Sequence, residues 1–204
     1  MDRHLADRLA IRDVVETWVI ARDSGAWETF RGTWHDDGYM VATWFKAKAS
    51  DFVARARRAW GEGFTSFHVL GGSAVTVNGS RAVSQSRMQI IQRAPVHGVI
   101  VDVMCLGRFW DAWEKVDGQW KLLFRQPVYE LDTMAPVDLS ASISLDPELL
   151  ARFPMGYRHL AYLQTEMGFD VVPNLPGTRG PEIEALQALG RSFLAGEPPA
   201  FVQP

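Results

Sequence analysis

The chain has 204 residues, 47% apolar and 22% charged, with a net charge of −3. That balance suits a globular protein with a full core and excludes a disordered, collagenous or coiled-coil chain. The single cysteine, Cys105, excludes an intrachain disulfide scaffold. The acidic balance argues against a nucleic-acid partner, and no apolar run approaches the roughly 18 residues of a membrane span.

Met1-Asp2-Arg3-His4 leads into a charged amphipathic stretch, not an apolar leader, so the expected location is the cytoplasm. Ile11, Val14, Val15, Trp18 and Val19 recur at helical spacing, and Asp23-Ser24-Gly25 ends that helix. Trp27, Phe30 and Trp34 predict a short second helix. His35-Asp36-Asp37-Gly38 reads as a turn into a strand over Tyr39–Phe45. Ser50 is placed to N-cap a third helix carrying Phe52, Ala56 and Trp60 on one face.

Strands follow. Val69–Val77 is interrupted by Gly71-Gly72, which predicts a bulge. Asn78-Gly79 predicts a hairpin into Ala82–Arg93, Pro95–Gly98 a turn into Val99–Trp113, and Asp117-Gly118 a hairpin into Trp120–Tyr129. Helices followed by an antiparallel meander make an α+β fold, with helices covering one face of a curled sheet.

The composition changes near residue 130. All eight tryptophans precede it, nine of the eleven prolines follow it, and residues 131–204 hold 4 Lys/Arg against 9 Asp/Glu. This predicts a domain over 1–130 and a proline-rich, partly helical extension over 131–204. Its helices are expected at Pro147–Phe153, Tyr157–Met167 and Pro181–Leu194, packed on the main domain or on a neighbouring subunit.

No phosphate loop, dinucleotide fingerprint, His-Glu-x-x-His or Gly-x-Ser-x-Gly is present. His35, Asp36 and Asp37 are adjacent and do not form a metal-ligand pattern, and Cys105 reads as a packed mid-strand thiol. Asp23 at a helix end and His68 at a strand entry remain the best acid–base candidates, since a carboxylate fixes an imidazole's tautomer and raises its basicity. From spacing alone, a helix cap and a satisfied core histidine are the better account of the two residues. Arg125, in Leu122-Leu123-Phe124-Arg125-Gln126, needs either a ligand or a buried carboxylate such as Asp102, and Arg87 and Asp102 are candidates for a cross-strand pair.

The chain resembles SnoaL-like members of the nuclear transport factor 2-like superfamily, in the group of scytalone dehydratase and hexachlorocyclohexane dehydrochlorinase. Five stretches over residues 1–130 carry the likeness: Arg8-Leu9-Ala10-Ile11-Arg12-Asp13, Asp23, Trp34-His35-Asp36-Asp37, His68, and Asp117-Gly118-Gln119-Trp120-Lys121 with Arg125 beyond it. The resemblance implies a cone-shaped α+β barrel and a cofactor-independent lyase acting on a small aromatic or hydrophobic substrate. It makes His68 the general base, Asp23 its orienting partner and Arg125 the stabiliser of developing negative charge. It also implies a cavity lined by Trp18, Val19, Met40, Val103, Cys105, Gly107 and Phe109, with Gly107 leaving room for a flat ring. Trp44, Lys46 and Tyr129 are candidates for the mouth.

No metal or nucleotide is required by that chemistry. Dehydration, loss of halide, and deformylation of lignin-derived diarylpropanes are the reaction types the superfamily suggests. The alternatives are a polyketide cyclase or isomerase on the same scaffold, or a non-catalytic ligand-binding or assembly subunit. An exposed sheet face in this fold implies a homodimer or homotrimer. His97, in a turn, is a poor substitute for the second histidine of scytalone dehydratase.

Overall fold

A computed structural model describes residues 4–200. Helix α1 (Leu5–Ser24) buries Ile11, Val15, Trp18 and Val19 and ends at Gly25, whose φ of +75° lets its N–H region turn back on Ala21. Helix α2 (Trp27–Gly32) is short because Trp34 belongs to the next strand, not to its own face. Strand β1 (Trp34–Ala42) takes in the predicted turn His35–Gly38 as an irregularity, with its register shifted between Trp34 and Tyr39. After β2 (Phe45–Lys48), helix α3 (Ala49–Gly61) starts one residue before Ser50, so Ser50 lies in its first turn and does not cap it.

Four long strands follow, β3 (Ser66–Asn78), β4 (Arg81–Val96), β5 (Val99–Val116) and β6 (Gln119–Pro136). The predicted bulge at Gly71-Gly72 appears as a register shift between Leu70 and Ser73. Two connections are two-residue turns with both residues at positive φ, His97-Gly98 at +49° and +81° and Asp117-Gly118 at +49° and +78°. The β3–β4 turn is displaced by one residue from the Asn78-Gly79 expectation, to Gly79-Ser80. Strand β6 continues past residue 130, and strand β4 runs through Pro95 to Val96.

The sheet order is β2-β1-β6-β5-β4-β3, antiparallel throughout except where β1 runs parallel to β6. The result is the curled α+β cone that the resemblance implies. Helices α1–α3 cross its inner face, where Trp18 packs edge-on against Phe30, Trp34 and Phe109 and stacks on Phe52. Rings of this kind each bury roughly 150–250 Å², which makes this cluster the centre of the core.

Of the remaining helices, α4 (Pro147–Ala151), α5 (Arg158–Glu166) and α6 (Pro181–Leu194), the last two pack on the same chain's sheet and α4 packs on α5. Asp132, at the end of β6, caps α5 from another element. Its Oδ2 accepts the N–H groups of His159 and Leu160 at 2.6 and 2.9 Å. Arg81 holds α6, donating to the Phe193 carbonyl at 3.1 Å with its guanidinium 4.7 Å from the Phe193 ring. The extension is tied to β6 and to the β1–β2 turn by Tyr129 N–H donating to the Pro176 carbonyl at 2.9 Å and Val172 N–H to the Thr43 carbonyl at 2.6 Å.

Candidate active site

The last turn of α1 carries Asp23 to the edge of β3, where His68 is the third residue of the strand. One carboxylate grips the histidine twice. Oδ2 accepts the His68 backbone N–H at 2.7 Å, and Oδ1 lies 2.9 Å from ring Nδ1. The backbone bond fixes where the strand enters, and the ring bond fixes the imidazole. A carboxylate has no proton to give, so Nδ1 is the donor and Nε2 keeps its lone pair. The His68 side chain is 5% exposed, with Trp18 and Phe109 against its ring at centroid distances of 5.8 and 5.9 Å.

His68 lines a cavity whose walls are Trp18, Arg22, Met40, Ala42, Thr43, Trp44, Phe52, Met88, Ile90, Gln92, Phe109, Pro127, Tyr129 and Gln164. Asp23 is not among them. The pair therefore presents its imidazole, and not its carboxylate, to an occupant. Most of the lining is apolar, with polar atoms at a few points, as small-molecule sites require. Arg22 donates to Asp23 Oδ1 at 3.3 Å, and burial pulls its guanidinium below the ordinary arginine value. Burial pushes the Tyr129 phenol up, so it stays protonated. Trp18 Nε1 and Gln164 Oε1 are buried and make no hydrogen bond among the described residues.

Burial holds the His68 ring below 6.5, only partly opposed by its bond to Asp23. The neutral base form is therefore the resting form at neutral pH. Between the depressed value and 6.5 the unfolded chain takes up a proton that the folded chain refuses, so stability falls as pH drops through that window. We expect the acid limb of any activity carried by this ring to have its midpoint below 6.5. Thermal melts should also show a loss of Tm from pH 7 to pH 5.5 that is smaller in His68→Gln.

Arg125 lies elsewhere. Its Nε and Nη2 form a two-point pair with Asp111 at 2.7 and 2.9 Å, and both side chains are fully buried. The two residues stand directly opposite each other on β5 and β6. The guanidinium carbon sits 3.9 Å from the Phe109 ring centroid and 4.3 Å from that of Trp18. These two rings line the cavity and Arg125 does not. The carboxylate Asp102 pairs instead with Arg93, at 2.6 Å through both oxygens, because those residues are register partners across β4 and β5. Arg87 faces Arg108 in that register and pairs with Glu130 at 2.7 Å.

Among the described residues no group of three or more His, Cys, Asp or Glu side chains is placed to hold a metal ion. No helix among them is long and apolar enough to cross a membrane.

Residues 3–126 match the model of the SnoaL-like domain, which is more than half of the chain. This chain belongs to the SnoaL-like family. Among its relatives, the pea pathogenicity protein 2 of Fusarium vanettenii is 36% identical over 177 residues, covering 85% of this chain and 76% of the relative. An uncharacterised protein of Emericella nidulans is 30% identical over 212 residues, covering 96% and 89%. Among solved structures, a scytalone dehydratase-like protein from Novosphingobium aromaticivorans superposes with a TM-score of 0.57 at 22% identity, over 71% of this chain and 98% of that one. The hexachlorocyclohexane dehydrochlorinase LinA type 2 gives 0.56 at 15%, over 71% and 95%. At these identities the structural likeness shows the fold.

In this SnoaL-like chain the residues singled out from sequence divide in two. His68, Trp18, Met40, Trp44, Phe109 and Tyr129 line the cavity, with Asp23 behind His68. Val19, Lys46, Val103, Cys105, Gly107 and Arg125 do not line it. Val19 packs in the core and Lys46 is exposed on β2. Val103 and Cys105 are fully buried, with the Cys105 thiol donating to the Gly156 carbonyl at 3.5 Å beneath the extension. Gly107 leaves no room for a ring. An added Cβ there would run into the Val128 carbonyl, where β6 bulges at Glu130 opposite Gly107. The sequence reading missed Arg22, Gln92 and Gln164. Arg22 carried one signal, a cation beside the candidate carboxylate. The two glutamines carried none.

Proposed function

We propose that the protein is a cofactor-independent lyase acting on a small aromatic substrate, with His68 as general base and Asp23 as the group that orients it. The observation that carries this reading is the neutral imidazole held by Asp23 at 2.9 Å on the wall of a mostly apolar, aromatic-rich cavity. The names of the dehydratase-like and dehydrochlorinase neighbours support a small-molecule elimination.

His68 Nε2 takes a proton from the substrate. From a C–H bond, the freed pair becomes the new C=C bond, and hydroxide or halide leaves with the pair of the bond that breaks. The proton on His68 returns to hydroxide as water. From an O–H bond, the pair becomes C=O and the adjacent C–C bond breaks, its pair recovering the proton from the imidazolium. Arg22 and the Trp18 indole N–H are the donors on the wall that meet developing negative charge. Arg125 supports Trp18 and Phe109 from behind and neutralises Asp111.

The test is a mass-spectrometric screen of wild type and His68→Ala with hydroxylated aryl-alkyl compounds, diarylpropanes among them, in the presence of a metal chelator. Loss of water, halide or formaldehyde by wild type alone is expected. A rearranged product of unchanged mass would replace this reading with a cyclase or isomerase, and turnover by neither protein would favour a binding role.

The outer face of the sheet supports self-association. Phe67, Val69 and Leu131 are 68%, 52% and 61% exposed, and Val69 and Leu131 lie on one row across β3–β6 with Gln89 and Leu106 between them. Sedimentation equilibrium should return a dimer or trimer, and a monomer at micromolar concentration would contradict it.

A further inference from the structure

Gln164 is a wall residue that the mechanism above leaves unused. It sits on α5, beyond the family-matched segment, and is 1% exposed. Its Nε2 donates to Gln92 Oε1 at 3.1 Å, which fixes the carboxamide, while its own Oε1 is buried without a donor. A buried acceptor left unpaired is costly, and proteins satisfy nearly all of them. Among the described residues none donates to this oxygen, and Gln164 lines the cavity that holds His68.

The cavity as it stands has about 40 Å³ of free space. An apolar cavity that takes up benzene has about 150 Å³. On the far side of Arg22, Trp44, Gln92 and Gln164 lies a second space of about 40 Å³, lined also by Phe64 and Phe169. Those four residues line both spaces and so form the partition between them. Neither space alone holds a ring, so a ring reaches His68 only when the side chains of this partition move aside, and it then passes Gln164 with the buried Oε1 uncovered beside it.

We propose that Gln164 is the specificity-determining residue of this site, its Oε1 accepting a hydrogen bond from a substrate hydroxyl, so that the cavity takes phenols and aryl-alkyl alcohols in preference to their ethers. This rests on the reading of the Asp23–His68 cavity as the substrate site. Hydroxyl recognition by a buried acceptor discriminates strongly, because an analogue lacking the O–H leaves the acceptor unpaired again.

The test is calorimetric titration of the full chain with phenol, anisole and benzaldehyde. Wild type is expected to bind phenol about tenfold or more tightly than anisole, the loss that one neutral hydrogen bond represents. Gln164→Met, similar in length and without an acceptor, should bring that ratio to about one. Gln92→Met provides a second reading should the first variant fold poorly. It releases Gln164 Nε2 as a donor and should raise the affinity for benzaldehyde. His68→Ala should keep a phenol-to-anisole ratio well above one. A preserved ratio together with absent turnover in the wild type would therefore defeat the lyase reading and leave the assignment of Gln164 intact. Equal affinity for phenol and anisole in wild type, no binding of phenol, a preference for benzaldehyde, or an unchanged ratio in Gln164→Met would each overturn the assignment.

Discussion

His68→Ala is expected to lower kcat/KM by about 10²–10⁴-fold, the worth of a positioned general base, while leaving the fold in place. The ring is removed, but the backbone N–H that donates to Asp23 at 2.7 Å remains. Asp23→Asn should lose activity on a similar scale for a different reason. An amide can turn its NH₂ toward Nδ1, which drives the imidazole proton to Nε2 and takes the lone pair away from the cavity. The double variant should then be little worse than His68→Ala, since two groups that act as a unit do not lose additively. Steady-state kinetics on the substrate returned by the mass-spectrometric screen, with circular dichroism to confirm folding, checks all three variants. Additive losses would show that Asp23 acts through something other than the imidazole.

The second large effect is on stability. Removing one partner of the buried Arg125–Asp111 pair leaves a charge without compensation, and such a loss costs about 3–5 kcal/mol. In a chain of this size that corresponds to a fall in Tm of roughly 10 °C. Arg125→Met is the cleaner variant, because its side chain can still fill the space between Trp18 and Phe109. Burial already pushes the Asp111 carboxyl up against the pull of Arg125 and Ser84. Without Arg125 it should take up a proton, and the destabilisation should be largest near neutral pH and shrink on acidification. Arg125→Met combined with Asp111→Leu should recover much of the loss. Thermal melts at pH 5 and pH 7.5 give the comparison. An Arg125→Met protein that melts within 2 °C or so of wild type would mean the pair holds nothing together.

Local features of this fold are well written in the chain. The apolar spacing of α1, the glycines of three hairpins and the Pro-initiated helices α4 and α6 each follow from backbone chemistry at one place. Pairings between distant strands are not local, and there the reading fell short. A mid-strand arginine visibly needed a partner, yet whether that partner was Asp102 or Asp111 depended on the β5–β6 register, in which Arg125 meets Asp111. Gly107 looked like free space because a missing side chain is visible in sequence, whereas the close approach of Val128 through a bulge is not. The dyad residues lie 45 positions apart, and spacing alone left them as a cap and a core histidine. The resemblance brought them together. Gln164 was the least legible of all, a polar residue on a weakly patterned helix whose importance comes from where α5 docks.

The most direct test of the account needs no substrate. It is ¹⁵N NMR of the His68 imidazole, assigned by comparison with His68→Gln, followed from pH 8 to pH 4.5. The expected result is a neutral ring at pH 7 with the proton on Nδ1 and the lone pair on Nε2, titrating with a midpoint below 6.5, and a change of tautomer in Asp23→Asn. A ring protonated at pH 7, or one carrying its proton on Nε2 in the wild type, would contradict it.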